Sequence, residues 1–154
     1  MNTDTRMAEP RYFVLACLDD VLAGARPSPA SEQQRDLARF INDWTRRCLP
    51  LPLCPATSEH AHAAYTFWCR LQGIKRPAPL TPFIVAATEA GFGKGRHRVR
   101  PHGTPQLAQH SVIYPPGFSA TKAGRQLDEA TSAFSLALKR WRDAAQATFE
   151  GTAR

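Results

Sequence analysis

Acidic side chains are nearly missing from the middle of this chain. Between Arg70 and Leu127, Glu89 stands alone against nine bases, whereas the remainder holds eleven bases and twelve acids. The excess behind the formal charge of +7 is therefore local, which points to an electrostatic footprint rather than to general solubility. Long apolar runs are missing too. Nothing approaches the roughly 18 to 20 residues that cross a bilayer, and Met1 to Pro10 is polar, with Asp4 and Glu9, unlike a signal peptide. Tyr12 to Ala25 contains Asp19 and Asp20 and reads as an amphipathic helix. A cytoplasmic protein with no membrane contact is expected.

Cysteine is sparse, four in 154 residues, and Cys17, Cys48, Cys54 and Cys69 include no C-x-x-C pair. That excludes a secreted disulfide scaffold and favours buried reduced thiols. A zinc set drawn from Cys48, Cys54, His60, His62 and Cys69 would lack the close ligand pairs of structural zinc. Core thiols and exposed helix histidines are the simpler reading, and no metal is expected. Catalytic signatures are also wanting. Gly91-Phe92-Gly93-Lys94-Gly95 has neither the spacing nor the hydroxyl of a phosphate loop. There is no G-x-S-x-G, no H-E-x-x-H, and no carboxylate pair in the basic region to hold magnesium. A non-enzymatic protein without a cofactor is expected.

What is present is the run Gly93 to Gly103, in which Arg96, Arg98 and Arg100 alternate with His97 and Val99. In an extended strand the three arginines share one face. A second β-prone stretch, Leu107 to Tyr114, follows the turn His102-Gly103-Thr104-Pro105. Together they read as a basic β-hairpin. Guanidinium groups crowded on one face suit a row of phosphates, whose neutralisation releases counterions. A solvated hairpin whose arginines discourage edge pairing, an RNA and an acidic protein are the competing readings.

Helical periodicity surrounds the hairpin. Pro10 to Ala23 reads as a first helix ending before Gly24. Ser31-Glu32-Gln33-Gln34 has the form of a capping box and opens a helix to about Cys48, with Leu37, Phe40, Ile41 and Trp44 on its stripe. Leu49 to Pro55 carries three prolines and cannot be helical. Thr57 or Ser58 caps the next helix, with Ala61, Ala64, Tyr65, Trp68 and Leu71 inward and Gly73 as its stop. Thr81 as N-cap and Pro82 at the first helical position open a short helix to Ala90, ended by Gly91. From Thr121 to Phe149 a long stripe runs through Leu127, Ala130, Phe134, Leu138 and Trp141. Its seven-residue spacing suits either a homodimer seam or packing across the domain's own core. The tryptophans fall on apolar faces and read as core, while Tyr114 could pack or stack on a base.

Helix, helix, short helix and hairpin make the order of a winged helix-turn-helix. The expected architecture is mostly α with a small β-hairpin. Residues 1–29 form an N-terminal helix and linker, 30–118 the winged-helix DNA-binding domain, and 119–154 a long helix for packing or dimerisation. The expected contacts to double-stranded DNA are Lys75, Arg76, Thr81, Thr88, Lys94, Arg96, His97, Arg98, Arg100 and His102. The helix Thr81 to Ala90 has no Arg, Asn or Gln for a bidentate base contact, so phosphates would supply most of the affinity.

Ala64-Tyr65-Thr66-Phe67-Trp68-Cys69-Arg70-Leu71-Gln72-Gly73, then Leu80, Phe83, Gly91-Phe92 and the arginine run resemble the winged-helix domain at the C-terminus of phage and plasmid primase-helicases of the poxvirus type. The resemblance covers roughly Phe40 to Gly117, without the primase and ATPase portions. It implies a DNA-binding module with Tyr65, Trp68, Phe83 and Phe92 as core and Arg96, Arg98 and Arg100 in the wing. The expected role is that of a transcriptional regulator or a replication and maintenance accessory of a mobile element. An interaction module, such as a phage-type inhibitor using the same basic face, is the alternative.

Overall fold

Prolines mark the starts of two helices, Pro29 of the first and Pro79 of the third. In the computed structural model, which describes residues 28–118 and 125–152, α1 spans Pro29–Thr45 with proline in its first turn, where the missing N–H costs nothing. The cap is Ser28, whose hydroxyl accepts from the Ser31 amide at 3.3 Å. The expected capping box at Ser31 is thus one turn late, because the Ser28-Pro29 pair starts the helix first. Helix α1 ends with Arg47 at φ 58°, and the Cys48 amide returns to the Asp43 carbonyl at 2.8 Å. This is a Schellman-type stop built without glycine, which is why a longer helix was expected. The proposed helix Pro10 to Ala23, Cys17, and the start of the last helix at Thr121 lie outside the described residues.

After the proline connector, Ala56–Thr57 forms a short strand β1. Helix α2, Ser58–Leu71, follows with Thr57 as its cap, and α3 spans Leu80–Glu89. The expectation of Thr81 as N-cap fails here. Pro79 occupies that position without any side-chain cap, and Pro82 falls in the first turn, where no amide partner is needed. Strands β2, Gly93–Val99, and β3, Ala108–Tyr114, make the hairpin, and α4 runs from Arg125 to Thr152. The described chain is mostly helical, with a small antiparallel sheet.

The sheet has three strands rather than two. Its order is β1-β3-β2, with Ala56 opposite Ile113 and Thr57 opposite Val112. Strand β1 escapes sequence reading because two residues carry no periodicity. One sheet face delivers Ile113 to the main core, while Val99, Val112 and Tyr114 on the other meet Leu127 of α4. The main core is aromatic. Phe40 is fully buried against Trp44, Tyr65, Trp68 and Phe83, with ring centroids 5.5 to 6.2 Å apart, separations at which tilted rings attract. Trp44 also meets Phe92 and, from α4, Phe134.

Helix α4 belongs to this body as far as Trp141. Leu127, Thr131, Phe134, Ser135 and Leu138 are buried, Trp141 packs edge-on to Phe67, and Phe149 is 70% exposed. Among the cysteines, Cys69 is buried and Cys54 half-buried, but Cys48 is exposed, against the expectation of a core thiol. No helix among the described residues is long and apolar enough to cross a membrane.

Candidate nucleic-acid interface

Strand β2 lies at the edge of the sheet and follows a strict alternation. Lys94, Arg96 and Arg98 are exposed, whereas Gly93, Gly95, His97 and Val99 turn inward. Gly93 and Gly95 leave room for the Tyr114 ring. A Cβ on Gly93 would stand 2.6 Å from its Cδ2, nearer than atoms pack, and one on Gly95 would meet its hydroxyl. Tyr114 is 8% exposed and stacks on Phe118. It is a packing residue that fills the space its cross-strand glycines leave, so base stacking by this ring is set aside.

The register places the basic residues. Lys94 pairs with Ile113, Arg96 with Ser111 and Arg98 with Gln109, and directly opposed residues share a face. That face is the one carrying Ile113, toward α2 and α3. Thr81, Ile84 and Val85 of α3 line an open groove with Lys94, Arg96, Gln109 and Ser111, and its floor is pinned by the Ser58 to Ser111 hydroxyl bond of 2.9 Å. Glu59 is the acid on this groove. Among the described residues one ion pair forms, Lys139 with Asp143 on α4, so no described acid neutralises the strand's arginines.

Arg100 falls one residue beyond β2, not within a strand as expected. Its backbone amide donates to Asp128 Oδ1 at 2.6 Å, and the amide of His102 donates to Ser135 Oγ at 2.7 Å. Two side chains of α4 therefore hold the far end of β2, an anchorage for which the sequence offers no local signal. Replacing Asp128→Ala should cost about 1 kcal/mol and speed hydrogen exchange at the Arg100 amide, while Asp128→Asn, which keeps an acceptor, should retain most of the protection. Unchanged exchange at Arg100 in the alanine variant would remove this anchorage from the account.

The other expected contact residues divide. Thr81 and Thr88 share with Ile84 and Val85 the exposed face of α3 at helical spacing. The Thr88 hydroxyl donates back to the Ile84 carbonyl at 2.8 Å. His97 is half-buried on the opposite sheet face, its Nε2 3.2 Å from the Tyr114 hydroxyl, so the geometry gives it a structural contact rather than a place in the groove. His102 is exposed in the hairpin turn. Lys75 and Arg76 line a separate recess with Glu32 and Asp36 of α1, where the Arg76 carbonyl accepts from Gln33. They are not brought to the groove.

Two histidines expected to be exposed are half-buried and engaged. His60 Nδ1 lies 2.7 Å from the Thr57 hydroxyl, and His62 Nε2 lies 2.9 Å from the Ala78 carbonyl. Burial lowers the His60 pKa from its ordinary 6.5, and His110 and Arg142 push the same way against Glu59. Burial also pushes the Cys54 thiol up to about 11, so it is protonated at neutral pH and a poor nucleophile. The described residues contain no group of three or more His, Cys, Asp or Glu arranged to hold a metal ion.

Comparison with protein-family models, with characterised proteins and with solved structures gives no match.

Proposed function

We propose that the chain is a winged helix-turn-helix protein that binds double-stranded DNA without catalysis, with α3 facing the major groove and the β2–β3 hairpin following the backbone. The observation that carries this reading is the row Lys94, Arg96 and Arg98, exposed on one strand face, with Lys94 and Arg96 facing α3 across an open groove. The element order supports it, since the helix-strand-helix-helix-strand-strand sequence with the first strand against the last sets a hairpin beside the third helix. The resemblance to the primase-helicase winged-helix domain agrees with this arrangement. It favours a role in replication or maintenance of a mobile element, with transcriptional regulation as the sister role of the same module.

Fluorescence anisotropy with a labelled duplex, read across a salt series, tests the proposal. With about five phosphates engaged, log affinity against log salt should fall with a slope of roughly −4 to −5. A flat response would reject the phosphate contacts and turn attention to a protein partner for the same basic face.

A further inference from the structure

We propose that α3 discriminates bases through the C5-methyl group of thymine, with Val85 as the principal reading residue. The inference rests on the duplex-DNA reading above and adds to it the chemistry of sequence preference.

Helix α3 is Leu-Thr-Pro-Phe-Ile-Val-Ala-Ala-Thr-Glu and holds no side chain able to make a bidentate bond to guanine or adenine. Its polar groups are partly engaged or directed elsewhere. The hydroxyl proton of Thr88 is occupied by the Ile84 carbonyl, and Glu89 stands outside the groove, on the side of α3 toward Asn42 and Thr45 of α1, a recess that Thr81 and Val85 border from the ridge between the two. What α3 does present is apolar. Val85 is 51% exposed and Leu80 37%, and both line the groove with Ile84, opposite Lys94 and Arg96. Exposed branched side chains on a helix that already buries Phe83 and Ala87 are not needed for the core.

An apolar surface flanked by cations fits one feature of the major groove. Thymine alone among the four bases displays a methyl group there, beside a phosphate backbone that the cations would hold. Uracil keeps the O4 acceptor of thymine and lacks only the methyl, so a matched pair of duplexes isolates the contact. Removing one buried methyl should weaken binding about threefold to fourfold, and two methyl contacts should give about tenfold.

The test measures the affinity of the full chain for an A·T duplex and for the same duplex with deoxyuridine at every thymidine position. A G·C duplex is compared in parallel with its 5-methylcytosine counterpart. The expected result is tighter binding to both methylated partners, with Val85→Ala bringing each pair to within about twofold. Val85 is a surface residue and alanine is the better helix former, so this variant should fold. Equal affinity for thymine and uracil duplexes, with the steep salt response intact, would overturn methyl readout and leave DNA binding standing. A methyl preference that survives Val85→Ala would also overturn it, because the methyl would then be sensed elsewhere or through duplex shape. Absence of duplex binding even at low salt would instead remove the DNA reading underneath.

Discussion

Substituting Arg96→Ala, Arg98→Ala and Arg100→Ala together should reduce affinity for duplex DNA on the order of 10² to 10³-fold at 0.1 M salt and flatten the salt slope by roughly 3. The magnitude follows from counterion release, because each lost phosphate contact removes about 0.9 from the slope and a similar amount from log affinity at that salt. Loss should be uniform across sequences, since backbone contacts position without specifying. Stability should barely change. The three side chains are exposed, and surface substitutions of this kind usually fall within about 0.5 kcal/mol. The Arg100 amide that donates to Asp128 is backbone and survives the substitution. Affinity unaltered in the triple variant would detach the hairpin from nucleic acid and favour the interaction-module alternative.

Trp44→Ala should be the most damaging single core change, costing about 3 to 5 kcal/mol in urea unfolding. The indole is fully buried, wedged between Phe40, Phe92 and Phe134, and so joins α1 to the end of α3 and to α4. Its Nε1 donates to the Pro52 carbonyl at 3.0 Å, which fixes the proline connector leading into β1. Trp44→Phe should separate the two contributions. It keeps much of the packing and loses the hydrogen bond, with about 1 to 3 kcal/mol at stake where the carbonyl is left unsatisfied. A domain of ordinary stability, about 5 to 15 kcal/mol, would then be marginal with alanine and intact with phenylalanine. Equal costs for the two variants would show that the connector bond, not the aromatic wedge, carries the effect.

The helical stripes were legible because they concern many residues at one period. Leu37, Phe40, Ile41 and Trp44, spaced for one helix face, are the four buried residues of α1. The alternation of Arg96 and Arg98 was legible for the same reason, and both emerge exposed on one strand face, whereas Arg100 falls past the strand end. Starts of helices were less so. Ser28 competes with Ser31, and Pro79 with Thr81, and tertiary context selects between neighbours that local chemistry treats alike. The groove itself was only half legible. Its basic wall follows from β2, but the match of Tyr114 to Gly93 and Gly95 depends on hairpin register, and the Asp128 and Ser135 anchors depend on contacts 28 and 33 residues apart. His97 shows the limit most directly. Its place in a basic run suggests phosphate, and strand alternation sends it to Tyr114.

Helix α4 is 28 residues long, about 42 Å at 1.5 Å per residue, and its two attachments to the hairpin lie on its inner half. Beyond those attachments Trp141 and Arg142 rest on Phe67, and Ala145 and Phe149 border an open cleft against α2. One continuous helix therefore reaches from the base of the basic strand to the outer face of α2.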